Sequence, residues 1–224
     1  TFVENTRINI LDYFIQNPIF CFAFTSFCIL ILINGCNFID GTNNLLIGYF
    51  LIISLCLLYI SNLNEIILNQ VYLKILIISL LTLLIFNFFS IIIMGDSGAY
   101  VLGLFFGFFL INLSNDNSNI SPIYILNLLW YPAFENLFSI LRKKNLSRSP
   151  LDPDTNHLHQ IIFLYLKKNF NIKSIYLNTM TGMIINIYNL ICIVIATKFY
   201  SHTKTQILII TVNIIVYVFL YRKL

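Results

Sequence analysis

At 224 residues the chain is 58% hydrophobic and only 10% charged, with a net charge of +4. Soluble domains carry about 25% charged residues, so an ordinary water-soluble globule is excluded, and long apolar runs joined by short polar connectors indicate an integral membrane protein. Nor is the charge a nucleic-acid footprint: of 13 Lys and Arg, seven fall between Arg142 and Lys173 and two more are Arg222 and Lys223, a clustering that reports membrane topology.

Residues 1–16 are polar and mixed and show no signal-peptide pattern. A spanning helix needs about 20 mostly apolar residues, and seven stretches qualify. The first, 17–33, is followed by the polar knot NGCNFIDGTNN; the second, 45–61, by NLNEIILNQ; the third is 71–89. After SIIIMGDSG comes the fourth, 99–113, then the polar tract SNDNSNIS and the fifth, 122–141. A basic loop, 142–173, precedes the sixth span, 175–196, and the seventh, 206–220. The predicted fold is therefore all-α, a polytopic transmembrane helix bundle in a single domain, 1–224. Within the basic loop, NHLHQIIFLYLKKNF reads as an amphipathic helix lying on the membrane. The five cysteines show no paired spacing and read as small apolar residues.

Basic residues concentrate on cytoplasmic loops. If 142–173 is cytoplasmic, alternation brings 34–44, 90–98 and the Arg222-Lys223 end to the same side, while 62–70 and 114–121, which hold no Lys or Arg, face out. The three most polar patches, NGCNFIDGTNN, MGDSG and RSPLDPDTNHLH, then share one membrane face. Acidic residues near membrane depth default to a functional reading, and Asp40 and Asp96 are the strongest of these.

The run Gly95-Asp96-Ser97-Gly98 offers two chemistries. A serine nucleophile needs a His and an Asp within reach, yet no predicted span carries a His: His157 and His159 lie in the basic loop and His202 in an outer loop. Asp96 between two glycines is better placed, since the backbone there can approach a ligand and Mg²⁺ takes one or two carboxylates beside substrate phosphates. The local alternative is a helix N-cap for the span that follows.

Taken together, the motifs resemble a known family. NGCNFIDGTNNLL resembles the Asn-x-x-Asn-x-x-Asp-Gly-x-(Asp/Asn)-Gly-Leu motif of the polyprenyl-phosphate N-acetylhexosamine-1-phosphate transferases, and MGDSGAYVLG their Gly-Asp-(Ser/Thr/Gly)-Gly-(Ser/Ala) motif. ENLFSILRKKNLSRSPLDPDTNHLHQ is similar to their Asp/Glu-x-x-x…Arg-x-Ser-Pro-x-x-Pro-Asp-x-x-His-Leu-His block, with Glu135 in the place of its acid. The resemblance implies transfer of a sugar 1-phosphate from a UDP-sugar to undecaprenyl or another polyprenyl phosphate, with release of UMP. It implies Mg²⁺ (or Mn²⁺ in its place), an active site on the cytoplasmic face of the inner, or plasma, membrane and a role in cell-envelope polysaccharide synthesis. By the same resemblance Asp96 is the metal-associated catalytic aspartate and Asp40 its catalytic companion. Asn37 matches the diphosphate and nucleotide site; Gly41, Thr42 and Asn43 lie beside the uridine; Arg148, Asp154, His157 and His159 contact phosphate groups. A homodimer is compatible with the family, and nucleic acid is not expected as a partner.

Read as residues alone, His157 and His159 are two apart and would point to nearly opposite sides of a regular helix, which suits phosphate donors in a loop better than a shared metal. Arg142, Lys143 and Lys144 read as headgroup anchors, and Glu135 as a structural residue near the end of the fifth span. Asn34 suits either a turn or the site. The chain departs from the family pattern at several points. The adjacent aspartate pair that the family carries upstream is absent, which implies that this chain is the C-terminal portion of a longer fold. Asn44 stands where Gly is usual and Gln160 where a third His can occur; Asn87 sits one residue short of a nucleotide-contacting Asn. The alternatives are a non-catalytic fragment or decayed relative, and a membrane transporter, which would distribute its polar residues through span centres and both faces.

Overall fold

Within lipid a helix satisfies every backbone N–H and C=O inside its own segment, and the Ile-, Leu- and Phe-rich runs of this chain do so. The structure, a computed structural model, describes residues 1–63, 66–147, 149 and 156–224. Among the described residues there are ten helices and no strand: α1 (Asn9–Ile15), α2 (Pro18–Ile39), α3 (Leu45–Asn62), α4 (Gln70–Phe88), α5 (Gly95–Asp116), α6 (Pro122–Leu128), α7 (Trp130–Asn145), α8 (Leu158–Asn169), α9 (Ser174–Lys198) and α10 (Thr203–Lys223). Six of these, α2, α3, α4, α5, α9 and α10, are each long and apolar enough to cross a membrane. Local chemistry starts them. Asn17 caps α2 by accepting from Ile19 N and Phe20 N, with Pro18 in the first helical position, and Asn69 caps α4 in the same way.

The fifth expected span is two helices rather than one. Pro132 has no N–H to give the Leu128 carbonyl one turn earlier, so the helix breaks at Leu129 (φ −110°, ψ 6°). Tyr49 of α3 repairs the gap: its hydroxyl donates to Leu128 O at 2.8 Å and accepts from Tyr131 N at 3.4 Å. A break at membrane depth survives because a side chain takes over the released backbone groups.

α3 is the central post, buried over most of its length and packed on α4 and α9, whereas α2 packs on α5 and α7. Small residues bring the second group close. Gly103 and Gly107, a Gly-x-x-x-Gly pair on α5, leave room only for Cys36, Ile33, Ile29 and Leu32 of α2, the usual means of close approach between helices in lipid. Polar side chains add interhelical bonds: Asn136 donates to Ile31 O at 2.9 Å, and Asn127 to both oxygens of Gln206 on α10.

The connectors divide between the two ends of the bundle as the alternation requires. At one end Arg7 donates to Ser118 O and Ser201 O, and Asn117 bridges to Ile67. At the other lie the end of α2, the start of α5, the end of α7 and α8.

Candidate functional site

Two helix ends run further than their hydropathy predicts, and both extensions carry site residues. α2 does not stop at Ile33 but continues to Ile39, because Asn34, Gly35, Cys36 and Asn37 are accommodated in a helix whose Gly35 lies flat against the backbone of Pro132 and Ala133. α5 starts at Gly95, not Ala99. Gly95 turns the chain with φ +67° in open space, a conformation glycine adopts without cost. Asp96 is thus in the first turn of α5, after the cap position, with its side chain exposed.

These extensions bring the two motifs together. Asn37 Nδ2 donates to Asp96 Oδ1 at 2.9 Å across 59 residues of chain. Asp40 closes α2 as its C-cap. Burial pushes its carboxyl up to about 7; the Gly95 N–H acts in the opposite direction, and the Asp96 charge raises it further. The charged form of Asp40 is therefore disfavoured where it sits, and a cation beside it would favour that form. Among the described residues no group of three or more His, Cys, Asp and Glu is placed to hold a metal. Two carboxylates beside an amide is nonetheless the donor set that suits Mg²⁺, which keeps water and substrate phosphate as its other ligands.

The third segment enters from α8. His157 is not on the helix but caps it, with extended backbone (φ −76°, ψ 151°), and Gln160 completes the capping box by accepting from His157 N at 3.0 Å. The opposed orientation of a regular helix therefore does not apply: the His157 and His159 rings lie parallel, 5.6 Å apart, and His157 packs at a tilt against Phe38 of α2 at 4.7 Å. His159 is fully buried, both ring nitrogens lack a partner among the described residues, and Nε2 lies where a Cβ on Gly41 would sit 2.7 Å away. Burial, opposed only in part by Glu135, lowers its pKa to about 4, so near neutrality the His159 imidazole is uncharged. The neutral ring favours the fold fully above its unfolded value of about 6.5, and this contribution is lost as pH falls through about 4. Acidification from pH 7 to 4.5 is therefore expected to lower the amide protection factors of α8, and less so in His159→Gln; an equal loss of protection in both would remove His159 as the cause.

Not every expected residue faces this point. Thr42 is buried with its hydroxyl unpartnered among the described residues, and Asn43 is half-buried, its Nδ2 donating to Ser90 Oγ and its N–H to Asn178 Oδ1. Gly182 of α9 leaves no room for a Cβ against the Asn43 carbonyl. Asn44, where the family carries Gly, holds φ +67°, which Asn tolerates. Its N–H donates to Asn87 Oδ1 at 2.6 Å while Asn87 Nδ2 donates to Ile92 O. Asn87 is a clamp between the α4 end and the knot, with both ends of its amide engaged. Arg148 and Asp154 lie outside the described residues. The headgroup-anchor reading is corrected for Arg142 and Lys143: Lys143 is buried, and Arg142 donates to Asn156 O and Tyr221 OH and stacks over Phe138 and Tyr221. Asn34 is exposed on α2.

Glu135, which opens the third motif and reads there as structural, and Phe38 both belong to this site. The signal for Glu135 was an acid alone in an apolar stretch, YPAFENLF; nothing in the sequence marks Phe38.

Comparison with known proteins agrees with the motif reading. The profile of the family described as glycosyl transferase family 4 matches residues 2–114, which contain the first two motifs but not the His157 region. A decaprenyl-phosphate N-acetylglucosaminephosphotransferase of Mycolicibacterium smegmatis is 30% identical over 149 residues, 57% of this chain. The chain spans about 37% of that relative's length. No solved structure matches.

Proposed function

The chain belongs to glycosyl transferase family 4, and from that premise we propose that its protein transfers an N-acetylhexosamine 1-phosphate from a UDP-sugar to a polyprenyl phosphate. The observation that carries the reading is the Asn37–Asp96 hydrogen bond, which draws two motif segments to one point with Asp40 and the histidine pair around it. An oxygen of the lipid phosphate attacks the sugar-bearing phosphorus, the bond to the uridine-side phosphate breaks, and UMP leaves with the electron pair. Phosphoryl transfer asks chiefly for positioning and charge neutralisation.

Asp96 and Asp40 would hold a divalent cation, which supplies charge neutralisation on the diphosphate when bound. Asn37 holds the Asp96 carboxylate in place. Gly41, exposed and without a side chain, lets a diphosphate approach the backbone. His159, whose ring nitrogens have no partner among the described residues, offers a neutral N–H to a phosphate oxygen, and Arg148 and Asp154 complete the loop motif. An apolar cavity of about 250 Å³ runs between α2, α5, α6, α7 and the N-terminal segment, from Val3 and Pro122 at the far end of the bundle to Leu32, Ala133 and Leu137 towards the site, and supports an acceptor with an isoprenoid chain. The surplus of Lys and Arg in 142–173 and at Arg222-Lys223 supports a cytoplasmic orientation of this end.

The test uses membranes holding the full-length protein, UDP-N-acetylglucosamine labelled in the sugar, and undecaprenyl phosphate. Labelled lipid and UMP are expected in equal amounts, to vanish with a chelator and to return with Mg²⁺ or Mn²⁺. Labelled lipid formed at the same rate after exhaustive chelation would refute the cation assignment; no product from any UDP-N-acetylhexosamine would refute the reaction.

A further inference from the structure

Glu135 is 1% exposed, on the α7 half of the broken span. A carboxylate this deep is costly unless donors surround it, and three groups do. Tyr131 OH, one turn earlier on α7, donates to Oε1 at 3.2 Å, and so does the Leu158 N–H at 3.2 Å. His157 Nδ1 lies 3.1 Å from Oε2. Leu158 is the first residue of α8 and its N–H has no acceptor within its own helix, so Glu135 caps α8 from a different helix. The same carboxylate grips the ring of the capping residue.

From this geometry, and resting on the transferase reading above, we infer that Glu135 is a positioning residue: it holds His157 with the proton on Nδ1 and thereby sets the histidine pair against the Asn37–Gly41 segment. The linkage is continuous. His157 packs at a tilt against Phe38, which lies between Asn37 and Asp40, and stacks on His159, whose Nε2 abuts Gly41. In a histidine the hydrogen bond at one ring nitrogen decides the state of the other. An ionised carboxylate can only accept, so Nδ1 donates. In Glu135→Gln, the amide oxygen is needed by the Leu158 N–H, which leaves the NH₂ facing Nδ1. The ring must then accept there, and the tautomer inverts while the cap survives.

The experiment is ¹⁵N NMR of histidine-labelled full-length protein in nanodiscs, with His157 assigned by comparison with His157→Gln. Wild-type Nδ1 is expected to be protonated, and in Glu135→Gln unprotonated. An unprotonated Nδ1 in the wild type overturns the inference, and this arm stands even if the variant does not fold. So does a His157 spectrum unchanged in a folded Glu135→Gln protein. In the transfer assay, Glu135→Gln is expected to lower kcat by roughly 10- to 100-fold, the usual cost of losing an orienting partner, with KM for the nucleotide sugar little changed and part of kcat kept in Glu135→Asp. Wild-type kcat per folded molecule in Glu135→Gln also overturns the positioning role. If the wild-type protein transfers no sugar phosphate, the reading under Proposed function fails, whereas the NMR arms still decide what Glu135 does.

Discussion

Replacing Asp96 with Asn is expected to lower sugar-phosphate transfer by the full-length protein roughly 10²- to 10³-fold, the scale of losing one electrostatic contact to the reacting charges. The change is nearly isosteric, and the Asn oxygen can still accept from Asn37 Nδ2, whose bond at 2.9 Å is the only hydrogen bond recorded for the Asp96 side chain among the described residues. Asp96 is exposed, so the substitution leaves no buried group unpaired, and thermal unfolding should stay close to wild type. What disappears is a negative charge beside Asp40. Transfer kinetics measured alongside thermal unfolding separate the two effects. Wild-type turnover in Asp96→Asn would take this residue out of the mechanism, and a large loss of stability would show it to be structural.

Gly35→Ala is expected to cause a large structural effect for a single methyl group. Gly35 is one turn before the C-cap of α2, and a Cβ there would run into the carbonyl of Pro132 at the start of α7. Backbone cannot swing aside as a side chain can, so α2 must move away from α7. Overpacking of this kind typically costs about 1–3 kcal/mol, and here the displacement also carries Asn37 and Asp40 away from Asp96. The expected result is a lowered unfolding temperature in detergent or nanodiscs and a fall in transfer greater than the loss of folded protein explains. Gly98→Ala is the control. Its Cβ would meet only the Met94 side chain, nearest at Cγ and Sδ, which can rotate aside as backbone cannot, so it should unfold nearer the wild-type temperature than Gly35→Ala. If the two variants unfold alike, the close contact at Pro132 is not what holds α2 in place.

Part of this site was legible because its chemistry is local. Asp40 and Asp96 stand out as acids beside glycines in apolar surroundings, and alternation of spans brings them to one end without knowledge of any contact. The helix ends were less legible. Hydropathy stops α2 at the first Asn, although a helix continues as long as its polar residues find packing, and Gly35 against Pro132 provides it. The residue type of Asn87 and Asn43 suggested ligand contacts. Both also bond to neighbouring segments, which residue type does not foretell, because an amide serves a backbone as well as it serves a nucleotide. Pro132 was visible in the sequence, yet the span through it read as continuous since its hydropathy is uninterrupted.

From the sequence alone came the membrane-spanning helical class, the division of loops between two faces and the position of the three motifs. These follow from the thickness of a bilayer, the internal bonding of a helix and the placement of charge, all of which act within one segment. Only the tertiary structure decided that Tyr49 closes the break at Leu129, that Glu135 holds His157, that the two histidine rings lie parallel, and that Asn37 reaches Asp96. Each of these pairs residues far apart in the chain or turns on one cap torsion, and which donor meets which acceptor depends on how whole helices pack.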